Sequence, residues 1–320
     1  MDRIGVITSG GDAPGMNAAL RAVVRAALGR GVEVIGFYHG WRGVIADETV
    51  NLDSKAVGGI ISQGGTMLRS ARSQEFRTPE GRIQAVDTLR KNKIDGLVVI
   101  GGDGSLTGAK ILTEEHGIPV VGVPGSIDND IPGTDYSIGF DTAVNTARDA
   151  IDKVRDTAYS HERVFVIEVM GRNNGFIAVD CALACGAEAV IIPEMPYSLL
   201  EICDNLRNMR KKGKRSSIII VAEGAAKASD IQEFISTSTG FEARTLVLGH
   251  MQRGGTPSAF DRVLALRLGA MAANRIISGY SGEMVGVDRG RLVTHPLSFV
   301  LSMTRTIDPE KLLLVEVMAQ

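Results

Sequence analysis

A glycine-rich turn with one aspartate and one serine carries the clearest chemistry in the sequence. Residues 96–105 read Gly-Leu-Val-Val-Ile-Gly-Gly-Asp-Gly-Ser, and a helical pattern follows from Ser105 to Glu115. Bare N–H groups at a helix N-terminus form an anion site, most often for phosphate. Asp103 would repel a phosphate unless a cation lay between them, which indicates Mg²⁺ bound with a nucleotide. The simpler alternative is a tight strand-to-helix turn with Asp103 as its cap.

A second glycine-rich turn comes early in the chain, where Gly10-Gly11-Asp12-Ala13-Pro14-Gly15 follows the first predicted strand. Its spacing differs from the dinucleotide-binding pattern G-x-G-x-x-G, and the sequence contains no Walker A motif. Both of these nucleotide-binding motifs are therefore disfavoured. Its backbone N–H groups could still approach a phosphate, and the alternative is an ordinary glycine turn.

Two carboxylates lie two residues apart in Ser126-Ile127-Asp128-Asn129-Asp130, which follows another predicted strand. One of them can accept a proton while the other orients a group or holds a metal ion. Phosphoryl transfer to an alcohol needs little beyond positioning, charge neutralisation and such a base. The alternative is a solvated turn of Asx residues. The presence of Asp103 elsewhere in the chain favours the catalytic interpretation.

Basic side chains near strand ends could neutralise phosphate charge, because a guanidinium matches a phosphate with two parallel hydrogen bonds. More arginines flank strands than one nucleotide needs, which indicates a second phosphorylated ligand, although each alone could be a surface charge. His250 could act as a base or as a phosphate donor, and the other histidines show no metal-ligand spacing. The arginines are Arg72, Arg163, Arg172, Arg244 and Arg253.

These candidate residues follow strand-like runs that alternate with helical patterns. The alternation predicts parallel sheets covered by helices, and ligands bind such folds beyond the carboxyl ends of the strands. The predicted fold class is α/β, with two doubly wound three-layer α/β/α domains, mainly parallel sheets and the active site in the cleft between them. The predicted strands are 4–8, 33–37, 97–100, 119–123, 164–169, 189–192, 217–221 and 245–248, and the predicted helices are 16–30, 57–62, 79–92, 105–115 and 140–157.

Composition excludes several classes of protein. The chain has 320 residues, 44% of them apolar, and a net charge of −2, which gives no electrostatic reason to expect nucleic acid or a membrane surface as a partner. Cys181, Cys185 and Cys203 are too few for a disulfide framework and indicate a reducing compartment, and helix packing explains the first two. We find neither a signal peptide nor an apolar run of membrane-spanning length, so we expect a soluble cytoplasmic protein.

Five motifs follow one another in a specific order: Gly10-Gly11-Asp12, Gly101-Gly102-Asp103-Gly104-Ser105, Ile127-Asp128-Asn129-Asp130, Met170-Gly171-Arg172 and His250-Met251-Gln252-Arg253-Gly254-Gly255. In that order and spacing they resemble the bacterial ATP-dependent 6-phosphofructokinases, over nearly the whole chain. The resemblance implies a glycolytic reaction in which MgATP and fructose 6-phosphate give ADP and fructose 1,6-bisphosphate. It also implies a larger nucleotide-binding domain of residues 1–138 with 252–305, and a smaller fructose 6-phosphate-binding domain of residues 139–251 with 306–320.

Individual roles follow from the same resemblance. Asp128 is implied as the general base for the sugar 1-hydroxyl, and Asp103 as the Mg²⁺ ligand with Asp130 nearby. The implied catalytic set is completed by Arg172 and Arg72, which would neutralise transition-state charge, and by Ser126 and Gly11, which would contact phosphates. The implied ATP contacts are Gly11, Arg72, Ser73, Gly102, Asp103, Gly104, Ser105 and Gly108. The implied fructose 6-phosphate contacts are Ser126, Asp128, Asp130, Arg163, Met170, Gly171, Arg172, Glu223, Arg244, His250 and Arg253.

The resemblance also implies an assembly. Arg163 and Arg244 would reach fructose 6-phosphate in the site of a neighbouring subunit, so a homo-oligomer, typically a tetramer, would share its substrate sites. An effector such as ADP or phosphoenolpyruvate is implied as well. Ser54 and Gly59 replace the family's usual arginine and acidic residue. The alternative interpretation of Arg21 and Arg25 is a solvent-exposed helix face. The implied effector residues are Arg21, Arg25, Arg155, Glu188, Lys212 and Lys214.

Two glycines bear on the phosphoryl donor. Gly104 and Gly125 would lie where the inner phosphate of a nucleotide passes, and pyrophosphate-using relatives tend to carry Asp and Lys there, so ATP is favoured. A pyrophosphate-dependent phosphofructokinase is the nearest alternative. Lipid and NAD kinases share the Gly-Gly-Asp-Gly turn but lack the Ile-Asp-Asn-Asp loop at this spacing, and a non-catalytic sugar-phosphate sensor would need neither Asp128 nor Asp103.

Three positions depart from the family pattern. Ser126 replaces a usual threonine and keeps the hydroxyl group, Phe176 replaces a usual aspartate, and the pair Asn173-Asn174 is atypical.

Overall fold

The computed structural model describes residues 1–318, which divide into two compact units. Unit 1 comprises Met1–Thr142 and Arg253–Arg305, and unit 2 comprises Ala143–Gln252 with the segment from Thr306 onward. Each unit contains its own sheet, and mostly parallel strands alternate with helices in both, which confirms the predicted α/β class. No helix within residues 1–318 is long and apolar enough to span a bilayer.

Strands and helices alternate along the described chain. The strands are β1 (Arg3–Ser9), β2 (Glu33–Phe37), β3 (Thr49–Asn51), β4 (Gly96–Gly101), β5 (Val120–Pro124), β6 (Val164–Val169), β7 (Ala189–Ile191), β8 (Ser217–Ala222), β9 (Ala243–Val247), β10 (Glu283–Asp288) and β11 (Arg291–Pro296). The helices are α1 (Met16–Leu28), α2 (Trp41–Ile45), α3 (Pro79–Lys91), α4 (Asp103–His116), α5 (Phe140–His161), α6 (Phe176–Cys185), α7 (Leu199–Lys211), α8 (Ala228–Thr239), α9 (Ala259–Ile277), α10 (Leu297–Val300) and α11 (Pro309–Met318). Short 3₁₀ turns span Ile60–Ser62, Glu75–Arg77 and Gly249–Arg253.

The sheet of unit 1 has the strand order β11-β10-β5-β4-β1-β2-β3, with parallel pairing except at its antiparallel edges β3 and β11. Every residue of β4 is buried, as expected for a central parallel strand covered on both faces. The register pairs Ser9 with Gly101 and Gly101 with Pro124. The carboxyl ends of β1, β4 and β5 are therefore level with one another, and the loops that follow them begin side by side.

The sheet of unit 2 has the order β7-β8-β6-β9 and is parallel throughout. All six residues of β8 are buried, and an apolar core that includes Val166, Ile219 and Ile231 forms between this sheet and its helices. The chain crosses between the units after Thr142, after Gln252 and after Arg305.

The predicted helix 57–62 is wrong. The structure has turns there, followed by a 3₁₀ turn at Ile60–Ser62. Gly59 adopts φ = 73°, in the left-handed region that an α-helix cannot accommodate. The sequence analysis also missed β3, β10 and β11, and it ended α5 four residues too early.

Buried cysteines on α6 pack against the interior of unit 2, as the sequence analysis expects. Cys181 and Cys185 are free and buried. Burial raises the pKa of the Cys185 thiol to about 11 and raises that of Cys181 well above its usual range. Both thiols therefore remain protonated at neutral pH, which makes them poor nucleophiles.

A buried carboxylate joins the start of α9 to the start of α5 within unit 1. Asp261 is 0% exposed, and it accepts hydrogen bonds from the backbone N–H of Gly139 (2.9 Å) and from the backbone N–H (2.8 Å) and hydroxyl (2.5 Å) of Thr142. Burial raises its pKa to about 6, although the hydrogen bonds from Thr142 and Gly139 act in the opposite direction. No motif in the sequence signals these hydrogen bonds, because Asp261 lies far along the chain from both partners.

We expect Asp261→Asn to change how stability depends on pH. Since the folded-state pKa is raised, the folded state binds this proton more tightly, so its contribution is complete below pH ~4 and is lost as pH rises through about 6. That contribution is roughly 3 kcal/mol at most for a shift of this size. Denaturation followed by the fluorescence of Trp41, the only tryptophan, should show wild type losing stability relative to Asp261→Asn between pH 4 and 7. Parallel pH profiles of the two proteins would contradict this assignment.

Candidate active site

Three loops converge at the carboxyl edge of the unit 1 sheet because β1, β4 and β5 end in register. The backbone N–H of Gly125 donates to the carbonyl of Gly101 (3.0 Å). A Cβ built on Gly102 would lie 3.7 Å from the carbonyl oxygen of Gly125, and one built on Gly10 would lie 3.1 Å from Oγ of Ser105. The structure therefore brings together the two glycine-rich turns and the carboxylate loop that the sequence analysis selected separately.

Arg253 covers the first glycine-rich turn. Its Nη1 donates to the carbonyl of Asp12 (3.2 Å), and a Cβ on Gly11 would lie only 2.5 Å from the same nitrogen. A side chain at residue 11 would therefore displace the Arg253 guanidinium from its present position. Arg253 is predicted from the sequence to contact the sugar phosphate, and its contact with the first glycine-rich turn has no signal in the sequence.

The second glycine-rich turn becomes the first turn of α4. Gly102 is the N-cap residue and makes no side-chain cap, so Asp103 lies inside the first turn and is not the cap. The leading N–H groups of a helix lack intrahelical acceptors and attract anions. Asp103 and Gly104 are exposed, whereas Ser105 is buried. Nothing lies within 4 Å of a Cβ built on Gly104, so this position is open.

The carboxylate loop after β5 is held by its own side chains. Asp128 is 1% exposed, and its backbone N–H donates to Oγ of Ser126 (3.2 Å). The same hydroxyl donates to Oδ1 of Asp130 (3.3 Å). Ser137 closes the loop by donating its hydroxyl to the carbonyl of Ser126 (2.6 Å). The Ser126 hydroxyl thus links the main chain at Asp128 to the side chain of Asp130.

Candidate nucleotide residues outside these loops have different environments. Arg72 is exposed, and the hydroxyl of Ser73 accepts the backbone N–H of Phe76 (3.1 Å). Gly108 is buried, and a Cβ there would lie 2.9 Å from Nε1 of Trp41. Gly108 therefore makes room for the indole ring, which stacks on Phe76 with ring centroids 4.2 Å apart.

A strained turn at the end of β6 holds Arg172 in unit 2. Gly171 and Arg172 adopt φ values of 151° and 53°, the second of which is rare for a residue with a side chain. Oε1 of Glu223 accepts the backbone N–H groups of Gly171 (3.3 Å) and Arg172 (2.9 Å). Oε1 of Gln252, which is 0% exposed, accepts the N–H of Met170 (2.8 Å). Gln252 lies within the motif of residues 250–255, but no role for it was predicted from the sequence.

Arg163 and Arg244 share one carboxylate. Their guanidinium groups lie 2.9 Å and 2.7 Å from Oε1 of Glu242, and they lower its pKa, Arg163 having the larger effect. The parallel register of β6 with β9, which pairs Phe165 with Arg244, places the two arginines side by side. His250 is exposed in the turn that follows β9.

The effector candidates divide between the units. Arg21 and Arg25 lie on α1 of unit 1, half-buried and exposed respectively. In unit 2, Glu188 is buried and pairs with Lys214 (2.7 Å), and Arg155 donates to the carbonyl of Gly186 (3.1 Å). Glu188 and Lys212 also line a cavity of about 600 Å³. Gly59 replaces the family's usual acidic residue at one of the effector positions. Nothing lies within 4 Å of a Cβ built on it.

The donor set fits a magnesium ion that is held mainly by phosphates. Mg²⁺ commonly takes one or two protein carboxylates and completes its octahedral shell with water and phosphate oxygens. Asp103, exposed beside the leading N–H groups of α4, offers such a carboxylate. Within residues 1–318 no group of three or more His, Cys, Asp or Glu side chains forms a metal cage.

Comparison with known proteins gives concordant matches. The family model described as phosphofructokinase matches residues 3–276. The chain is 55% identical over 310 residues to an ATP-dependent 6-phosphofructokinase of Bacillus mycoides (strain KBAB4), covering 97% of each chain, and is equally similar to one from Bacillus cereus (strain AH187).

Solved structures match the fold closely. A structure of phosphofructokinase from Saccharomyces cerevisiae superposes with a TM-score of 0.89 at 37% identity, over 94% of this chain. The chain spans only 45% of that yeast chain. A pyrophosphate-dependent phosphofructokinase from Marinobacter aquaeolei superposes with a TM-score of 0.85 over 97% of this chain and 86% of that chain, but at 22% identity it supports the fold alone.

Proposed function

The chain belongs to the phosphofructokinase family, and on that premise we propose that it is an ATP-dependent 6-phosphofructokinase. It transfers the γ-phosphoryl group of ATP to the 1-hydroxyl of fructose 6-phosphate, giving ADP and fructose 1,6-bisphosphate in glycolysis. One observation carries this proposal above all. The ends of β1, β4 and β5 are in register, so two glycine-rich turns, the exposed Asp103 and the buried Asp128 lie at one edge of a sheet, which supports the proposal.

Asp128 is the proposed general base. A buried carboxylate that is placed beside the attacking hydroxyl can accept its proton as the new P–O bond forms. The contact between its backbone N–H and Ser126 keeps the Asp128 main chain in place. Ser126 and Asp130 then orient the transferred group.

The nucleotide is proposed to bind in unit 1. Asp103 would hold Mg²⁺, which neutralises phosphate charge when bound. The leading N–H groups of α4 and the bare backbone at Gly11 would donate to phosphate oxygens. Arg72 would contribute positive charge to the transition state. The remaining proposed ATP contacts are Ser73, Gly102, Gly104, Ser105 and Gly108.

Fructose 6-phosphate is proposed to contact residues of unit 2. The Glu223 carboxylate accepts two N–H groups of the Gly171–Arg172 turn and so fixes the backbone from which the Arg172 guanidinium extends toward phosphate. The other proposed sugar-phosphate contacts are Met170, His250, Arg163 and Arg244, with Arg253 from unit 1. Accordingly, the proposed nucleotide domain is residues 1–138 with 252–305, and the proposed sugar-phosphate domain is residues 139–251 with 306–320.

We also propose that copies of this chain form a tetramer in which neighbouring subunits share their fructose 6-phosphate sites. Arg163 and Arg244 stand together on Glu242, where a phosphate could replace that carboxylate as their partner. They would complete the fructose 6-phosphate site of a neighbouring subunit. The effector proposal, ADP or phosphoenolpyruvate, rests on Arg155, Glu188 and Lys214, which the structure gathers in unit 2, together with Lys212, Arg21 and Arg25.

Mixed oligomers should test the sharing of sites. Inactive Arg163→Ser and Asp128→Ser proteins, dissociated and reassembled together in equal amounts, should regain about a quarter of wild-type activity, since random mixing leaves that share of sites with both residues intact. A mixture of Arg163→Ser with Arg244→Ser is the control and should regain none, because both residues come from the same neighbour. Absence of recovery in the first mixture would contradict shared sites.

A coupled assay tests the proposed function directly. The protein is supplied with Mg²⁺ and fructose 6-phosphate, and ATP is compared with pyrophosphate as the phosphoryl donor. ATP-dependent formation of fructose 1,6-bisphosphate supports the proposal, whereas activity with pyrophosphate alone would overturn the donor. No product with either donor would favour a sugar-phosphate sensor. Cytoplasmic location is proposed from the three free buried cysteines.

A further inference from the structure

An arginine from far along the chain fastens the loop that carries Asp128. Arg305, the last residue of unit 1, donates from Nη1 to Oδ1 of Asn129 (3.1 Å) and from Nη2 to the carbonyl of Asp135 (2.5 Å). The match to the family model ends at residue 276, so Arg305 lies outside it. Building on the proposed function, we propose that Arg305 is a positioning residue for phosphoryl transfer and acts through Asn129 on the adjacent base.

Asn129 has an unusual backbone that needs external support. Its φ is 53°, in the left-handed region, and it is 3% exposed. Such conformations cost about 1–3 kcal/mol and persist only where the surroundings over-determine them. Asparagine tolerates this region better than most residues, but its side chain must still be satisfied once it is buried.

The side chain of Asn129 is satisfied by a network in which Arg305 is the charged member. Oδ1 accepts the backbone N–H of Ser137 (2.8 Å) and Nη1 of Arg305, and the Ser137 hydroxyl oxygen lies 3.2 Å away. Nδ2 donates to the carbonyl of Asp135 (3.4 Å), which also accepts from Arg305. Hydrogen bonds from a charged donor are roughly twice as strong as neutral ones. Arg305 thus joins both ends of the segment from Asn129 to Asp135 with one guanidinium group.

The position of Asp128 follows from this network. Its main chain is held on one side by Ser126, which accepts its N–H, and on the other by the peptide bond to Asn129. Without Arg305, the left-handed backbone at Asn129 loses its charged support and can relax toward more favourable φ values. The peptide next to Asp128 then rotates and moves the carboxylate away from the hydroxyl that it must deprotonate. A displacement of about 1 Å can lower a rate by about 10².

Arg275 provides a matched control. It is also a partly buried arginine of unit 1, with its guanidinium bonded to the carboxylate of Glu283 (2.5 and 2.7 Å) and placed over the ring of Tyr280. These contacts join α9 to β10 and do not involve residues 126–137. Arg275→Ala therefore reports what loss of an arginine network in unit 1 does by itself.

Steady-state kinetics of the full-length protein test the proposal. Arg305→Ala should lower kcat by about 30- to 100-fold and change the KM for fructose 6-phosphate and for MgATP by less than about threefold. Arg305→Lys keeps the charge and one donor, so its loss should be about three- to tenfold, and it serves as the test if the alanine variant does not fold. Arg275→Ala should retain kcat within about twofold. A kcat near wild type in Arg305→Ala, or an equal loss in Arg275→Ala, would overturn the proposal.

A double-mutant cycle separates positioning of the base from general damage. In an Asp128→Ala background there is no carboxylate to position, so adding Arg305→Ala should lower the residual rate by less than about twofold. Equal fold-losses with and without Asp128 would show that Arg305 acts only on the stability of the unit. A wild-type protein that makes no fructose 1,6-bisphosphate would instead overturn the proposed function, and the positioning role with it, whereas an active wild type with an unaffected Arg305→Ala overturns the positioning role alone.

Discussion

Replacing Asp128 with asparagine should lower kcat for phosphorylation of fructose 6-phosphate by about 10²- to 10⁴-fold, the usual contribution of a general base. Asparagine is preferred to alanine for this test because Asp128 is 1% exposed and a smaller side chain would leave a cavity. The amide keeps the shape of the carboxylate but cannot accept the hydroxyl proton. Binding of fructose 6-phosphate, measured by calorimetry, should change little, so the loss should appear in kcat.

Two controls make this result specific. Asp87 is an exposed aspartate on α3 of the same unit, and Asp87→Asn should leave kcat unchanged. Asp128→Ala, whose cavity adds a cost in stability, should show the same loss of kcat if its folded fraction is taken into account. Turnover near wild type in Asp128→Asn would remove this carboxylate as the base and direct attention to Asp130 or to solvent.

Gly104→Asp should lower kcat/KM for MgATP by about 10²- to 10³-fold and leave the protein at least as stable as wild type. The new carboxylate would stand beside Asp103, where the inner phosphates of ATP are proposed to pass. Repulsion between this carboxylate and a phosphate oxygen ~4 Å away would cost about 4 kcal/mol near a protein surface. The same negative charge in the first turn of α4 stabilises the helix by about 0.3–1 kcal/mol. Activity and stability are therefore expected to change in opposite directions, which a folding defect cannot reproduce.

The structure makes Gly104 a better test position than Gly125. A Cβ at Gly104 meets nothing within 4 Å, whereas one at Gly125 would lie 3.0 Å from the terminal methyl of Met16. Gly104→Ala is the matched control and should retain kcat/KM within about fivefold, because a methyl group adds no charge. An unchanged kcat/KM for MgATP in Gly104→Asp would show that the phosphate chain does not pass this residue.

The site loops could be identified from sequence because their chemistry is local. Gly102, Asp103 and Ser105 lie within one turn, and the apolar run before them specifies a buried parallel strand whose end must face any ligand. Asp128 could be selected for the same reason. The central parallel strands were predictable from short apolar runs, whereas the edge strand β11 was missed because none of its residues is buried.

The supporting residues could not be identified in this way. Arg305 lies 176 residues from Asn129, and Asp261 lies 122 residues from Gly139, so nothing in the local sequence connects them. The 3₁₀ turn in place of the predicted helix 57–62 depends on a single left-handed glycine, Gly59. Long-range hydrogen bonds and backbone conformation at single residues are tertiary properties, which explains why they emerge only from the structure.

The three crossings of the chain between the units impose an order on biosynthesis. Residues 253–305, which supply β10 and β11 to the unit 1 sheet, leave the ribosome only after nearly all of unit 2 has been made. Until then β5 has no partner on one side, and its N–H and C=O groups form an open edge. A nascent chain in this state is prone to pair with other chains through the open edge of β5. Unit 1 therefore passes through its most aggregation-prone stage while unit 2 can already fold.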